Sequence, residues 1–315
     1  MRTSQRQHGV AILVALVLMA LVTIIAYDVW FAGALEQRRS FSVLSIEQGF
    51  QYGLGGEALA AVALQRDLQQ SKQDYTAEEW AAPFPPFQID AGEVQVGLED
   101  MQARFNLNNL IDPKTGNADQ DMVDQFRRLL EILGLEAKWA GLMVDWLDAD
   151  LQPSFPDGAE DPTYTALAPP YLPPNGPITS TTELLALPGF GIERYRKIQP
   201  FVAALPVGTA INVCTAPGEV LDSLSATIRQ FDANFLATQR RSKCFPALTD
   251  LQAALPPADW QRIQARNPPL VSDNTQYFRL TTVTTIGTAQ ITLYSLLQRN
   301  AGGQTRPILR SWGTD

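Results

Sequence analysis

The sequence predicts an α+β protein in which a long amino-terminal helix packs on an antiparallel sheet and a large all-helical block is inserted between the strands. Three observations predict it. An uncharged run from Val10 to Ala26 leads straight into a stretch of helical periodicity. Polar and apolar residues alternate near residue 90 and again after residue 276. Between those flanks lie roughly 155 residues of mostly helical spacing, rich in proline.

The helix comes first. Its apolar segment continues from Ala26 through Tyr27, Trp30 and Phe31 with Asp28 the one acid, so residues 10–31 suffice to span lipid. A helix rises about 1.5 Å per residue, and roughly 20 apolar residues cross a hydrocarbon core of about 30 Å. Arg2 and Arg6 precede the run while Arg38 and Arg39 follow only after a gap, which favours an amino end in the cytoplasm. A cleaved signal peptide is the alternative, with Ala32-Gly33-Ala34 as its cleavage site. Against it, the apolar run exceeds the usual signal length of about 7–15 residues. The pattern also continues, with Val43, Ile46, Phe50 and Leu54 three or four apart and Leu59, Val62 and Leu68 extending the stripe. Gly53, Gly55 and Gly56 favour close approach of a neighbouring helix, and Pro83, Pro85 and Pro86 lie beyond the helix end.

Residues 32–112 complete the helix and add the first strands: Phe87 to Asp100 reads as a hairpin about Ala91-Gly92, and Met101 to Leu107 as a further strand. The block at 113–269 follows. Ala118–Leu133 is helical with Met122, Phe126, Leu129, Leu130 and Leu133 on one face and Gly134 as its stop, and a second helix runs from Glu136 to Leu147. Leu151–Pro177 is an irregular connection too long to stand without a fastening. Thr182–Leu187, Ile192–Leu205, Val220–Gln239 and Leu248–Arg266 read as helices. Residues 270–315 return to strands at 277–286, 289–298 and 306–312, and the simplest layout builds one sheet from both flanks.

Within the block, Leu187-Pro-Gly-Phe-Gly191 resembles the turn of a helix-hairpin-helix (SAM-like) motif, and Cys214–Leu224 is a weaker second copy without the turn. Such turns in DNA-binding proteins present amides to phosphate, and Arg194, Arg196 and Lys197 lie nearby. A net charge of −9 opposes a nucleic-acid surface. The sole histidine is His8, which leaves no Ser-His-Asp or Cys-His catalysis beyond the amino terminus, and no phosphate-binding loop is present. The expectation is a protein without enzymatic activity. Cys214 and Cys244 either form a disulfide in an exported part or remain buried thiols.

One acidic concentration stands out. Asp145, Asp148, Asp150, Asp157, Glu160 and Asp161 fall within seventeen residues, with Asn175 downstream. They repel one another unless solvent or a cation intervenes. This is no EF-hand, because Pro153 and Ala159 occupy the places of its glycine and bidentate glutamate. Read from the residues alone, a solvated acidic loop is favoured over a calcium site.

A short basic leader ending in Gly9 and followed at once by an apolar helix resembles the start of type IV pilins and secretion pseudopilins. The resemblance implies peptidase cleavage after Gly9 and methylation of Val10; loss of residues 1–9 removes two positive charges, taking −9 to −11. The family's fifth mature residue is usually Glu, whereas this chain has Val14, which is similar to the minor pseudopilin K family of type II secretion systems. A buried carboxylate in lipid needs a partner, so a subunit with none above it has no use for one. That family implies the pseudopilin fold, an inserted helical domain and a place in the inner membrane with the body in the periplasm. It also implies a tip complex with minor pseudopilins I and J, with the major pseudopilin and secreted cargo as further candidate partners, and calcium held by the acidic residues. A membrane-anchored helix-hairpin-helix DNA-binding protein is the alternative function.

Overall fold

The structure, a computed structural model, describes residues 8–90 and 92–313. Met1–Gln7, with Arg2 and Arg6, and Ala91 of the expected hairpin lie outside the described residues. Helix α1 runs His8–Gln70, about 95 Å at the usual rise. From Val10 to Leu44 its side chains are exposed almost throughout, and by length and composition it can cross a membrane. From Ser45 onward one face is buried: Ser45, Gly49, Gly53, Gly56, Ala60 and Leu64 recur every three or four residues.

That face lies on a five-stranded antiparallel sheet, ordered β1 (Phe87–Ile89), β2 (Gly92–Asp100), β7 (Tyr277–Ile286), β8 (Ala289–Arg299) and β9 (Thr305–Trp312). The sheet thus takes two strands from before the helical block and three from after it. Strict alternation of burial along β7 and β8 puts Phe278, Leu280, Leu293 and Leu297 in the core under α1. Gly53 and Gly56 serve this contact: a Cβ on Gly53 would fall 2.6 Å from Leu293 Cδ2, and one on Gly56 2.6 Å from Thr282 Oγ1. Gly55 faces open space. Near the carboxyl half of α1, Glu57 accepts from Ser295 Oγ at 2.6 Å and from Arg310 Nε and Nη2 at 2.7 Å each.

The strand expected at 101–107 is instead two 3-10 turns, Met101–Ala103 and Leu107–Leu110, around the two-residue β3 (Phe105–Asn106). Asparagine side chains replace a strand ladder here. Asn106 donates to the Pro206 carbonyl, and Asn108 to the carbonyls of Ile178 and Leu205. β3 pairs in parallel with β4 (Val202–Ala203), and β5 (Ile211–Asn212) with β6 (Val271–Ser272).

Among the helices, α2 (Gln120–Ile132) and α3 (Trp139–Leu147) match their periodicity, and Gly134 takes a left-handed φ of +64° after α2. α4 (Asp161–Thr165) is a single turn inside the proline-rich connection. α5 (Gly191–Ile198) stops short of the expected Leu205 because Pro200 supplies no amide. The expected helix at 220–239 divides into α6 (Gly218–Asp222) and α7 (Ala233–Gln239), because Asp222 accepts from the amides of Gln230 and Phe231 and folds the chain away. The one at 248–266 divides at Pro256 into α8 (Leu248–Ala254) and α9 (Pro257–Gln264). A disulfide joins Cys214 and Cys244.

A buried polar knot fastens block to sheet. Asp100, at the end of β2, accepts from Asn212 Nδ2 at 2.8 Å, Thr275 Oγ1 at 2.6 Å and Thr215 Oγ1 at 2.5 Å. Burial pushes its carboxyl above the usual range, against those hydrogen bonds.

Candidate cation site in the helical block

α3 ends where the acidic run begins, so its last turn sets the positions of two carboxylates. Asp145 is fully buried and accepts the Ser154 amide on both oxygens at 3.1 Å. Asp148 caps the helix with extended backbone, its amide donating to the Val144 carbonyl at 2.9 Å. Gly158 must be glycine, because a Cβ there would meet Asp145 Oδ2 at 2.2 Å; this lets the loop double back and deliver Glu160 at the start of α4. Asp148, Asp150 and Glu160 thereby converge, with one carboxylate oxygen of each within 4.8 Å of the others.

The chemistry of this trio is unresolved by the protein itself. Asp148 Oδ1 and both oxygens of Glu160 are buried without a hydrogen-bond partner, and so is Asn175 Oδ1. Asn175 holds a φ of +46°, the one left-handed non-glycine residue among those described. Burial first, then the neighbouring carboxylates, raises Asp148 to about 7 and Glu160 to about 7. A hard cation with oxygen ligands would satisfy the three orphaned carboxylate oxygens.

Of the residues singled out from sequence, Asp148, Asp150 and Glu160 come together, Asp145 stands beside them with both oxygens engaged, and Asn175 contributes a buried oxygen. Asp157 is exposed and Asp161 sits in the first turn of α4; neither joins the trio. Sequence reading missed a second carboxylate group, Asp67, Asp74 and Glu78, whose members flank the carboxyl end of α1. Arg299 answers it, donating to Asp67 Oδ2 at 3.2 Å and to Asp74 Oδ1 at 2.6 Å. No local signal could reveal a pairing across more than two hundred residues.

The hairpin has the predicted turn, with Gly189 at φ +79° and Gly191 at +75°. Its nearest cation is engaged: Arg194 donates to Glu136 at 2.7 and 2.9 Å and lies over the Trp139 ring. The DNA-binding alternative finds no support. At the other end of the chain, Gly9 lies in the first turn of α1, and Val10 and Val14 are exposed on it, 65% and 51%.

Residues 103–207 match the family model of the type II secretion system (T2SS) protein K. The type II secretion system protein K of Pseudomonas aeruginosa is 35% identical over 98% of this chain and 93% of its own length. The chain belongs to the protein K family. The Klebsiella pneumoniae member is 36% identical over 67% of both chains. Among solved structures, a chain of the GspK-GspI-GspJ complex of enterotoxigenic Escherichia coli matches with a TM-score of 0.76 at 26% identity, covering 88% of this chain and all of that one. This protein K is therefore a component of a secretion system, and its long apolar helix fits a single membrane anchor.

Proposed function

We propose that this chain is the minor pseudopilin at the tip of a type II secretion pseudopilus, joined there by the minor pseudopilins I and J. The observation that carries the reading is likeness along nearly the whole chain to protein K relatives, together with the match to a chain of a GspK-GspI-GspJ complex. The division of α1 into an exposed rod and a sheet-bound half suits the task. Residues 10–31 hold the inner membrane, and the body sits in the periplasm. Prepilin peptidase cuts after Gly9 and methylates Val10; Val14 removes the carboxylate that would require a subunit above. The subunit acts by assembly, not by catalysis.

Calcium would be held by Asp148, Asp150 and Glu160, with Asn175 as a further oxygen donor. It supplies charge compensation to a loop that has no cationic side chain of its own, and so holds the 151–177 connection in shape.

Co-expression with its I and J counterparts and prepilin peptidase tests the whole reading. The expected product is a ternary complex in which intact-mass analysis finds this chain starting at methylated Val10. A chain that starts near Leu35 and purifies alone overturns it.

A further inference from the structure

Helix α4 carries two buried polar groups, one turn apart, that nothing among the described residues answers. Glu160 stands at its start, 1% exposed, and makes no capping bond; neither carboxylate oxygen has a partner. Tyr164, four residues on, is fully buried, and its hydroxyl also lacks a hydrogen bond. A buried polar group left unpaired costs about 1–3 kcal/mol, so the seat of α4 is weak until something outside the chain engages Glu160.

Tyr164 is placed by its ring alone. The ring lies against Trp146 with centroids 5.4 Å apart and against Tyr171 at 5.5 Å. Trp146 follows Asp145 in the last turn of α3, and its Nε1 donates to Glu183 Oε2 at 3.1 Å. The Tyr171 hydroxyl donates to the Ala186 carbonyl. Glu183 and Ala186 both belong to the 3-10 turn Thr181–Ala186, which runs directly into Leu187-Pro-Gly-Phe-Gly191. That turn is the first arm of the hairpin, and 3-10 geometry gives it poorer backbone bonds than an α-helix has. Two side-chain bonds from the aromatic trio therefore tether an arm that its own backbone holds weakly.

We infer that a cation bound at Glu160 orders the hairpin arm 181–186 through α4 and the trio Trp146, Tyr164 and Tyr171, with Tyr164 as the positioning residue between them. Seating Glu160 fixes the start of α4, and α4 sets the Tyr164 ring against the two side chains that hold the arm. The cation need only bind this ordered arrangement better than a loosened one. This coupling rests on the calcium reading of the site, and the experiment separates the two. Calorimetry measures calcium binding by the full-length chain in detergent, and hydrogen exchange is followed with calcium and with chelator. The expected result is about tenfold slower exchange with calcium at 181–187 as well as along 157–165. Tyr164→Leu, which keeps the position apolar but removes the ring, should bind calcium yet lose most of the slowing at 181–187. Tyr164→Phe should keep it, because the ring and not the hydroxyl makes the contacts. Calcium that binds and slows 157–165 but leaves 181–187 unchanged overturns the coupling and leaves the calcium reading standing. A leucine variant whose hairpin arm slows as fully as wild type does the same. Should that variant not fold, the wild-type comparison decides alone. No heat of binding and no effect of calcium on exchange anywhere overturns both.

Discussion

Two groups of three carboxylates lie among the described residues, and one carries its own counter-charge while the other does not. At the carboxyl end of α1, Asp67, Asp74 and Glu78 surround Arg299, a guanidinium 3% exposed that also donates to the carbonyls of Leu64 and Thr275. In the helical block, Asp148, Asp150 and Glu160 make no ion pair among the described residues and retain three orphaned oxygens. A built-in cation makes a joint that is always closed. If the second group borrows calcium, as proposed, the order of its loop would depend on the surroundings.

The largest effect should come from removing the built-in cation. Arg299→Met leaves Asp74 buried beside two further acids, and loss of one partner from a buried pair costs about 3–5 kcal/mol. Chemical denaturation in detergent should show that loss, and a change below about 1 kcal/mol would mean that the acids reach water. Next is the borrowed cation. Calcium at a hundredfold excess over its Kd should stabilise the chain by about 2.7 kcal/mol. Glu160→Gln should abolish that gain yet raise stability in chelator, because it relieves like-charge repulsion. Equal melting temperatures for wild type with calcium and with chelator would remove calcium from the account. The smallest effect concerns protons. Burial first, then Glu78 and Asp74, raises Asp67 to about 7 in spite of Arg299. The folded form therefore binds more protons than the unfolded chain between pH 4 and 7 or so, and stability falls as pH rises through that window. Asp148 and Glu160, raised to the same value, add to this slope, so Asp67→Asn should lessen it without removing it, and a wholly unchanged slope would place the titration elsewhere.

The legible parts of the fold were those with a long period. α1, α2 and the strands at 277–312 repeat their pattern over eight or more residues, so tertiary context had little to overrule. The misread parts are set by single side chains acting at a distance: Asn106 and Asn108 turned an expected strand into 3-10 turns, and Asp222 folded one helix into two. At the candidate site the acidic run was visible, but which three carboxylates meet depended on Gly158 allowing the loop to return over Asp145. Asp100, which fastens Asn212, Thr215 and Thr275 together, had no sequence signal, because its partners lie more than a hundred residues away.

The seam between α1 and the sheet also has a mechanical meaning. Interlocked glycines, the Glu57–Arg310 fork and the Arg299 cluster lie in succession along the shaft, so a pull on the body loads them together, in shear. Bonds loaded side by side give way at higher tension than bonds peeled one after another. A pull on the body relative to the rod would thus meet these contacts together and not one at a time.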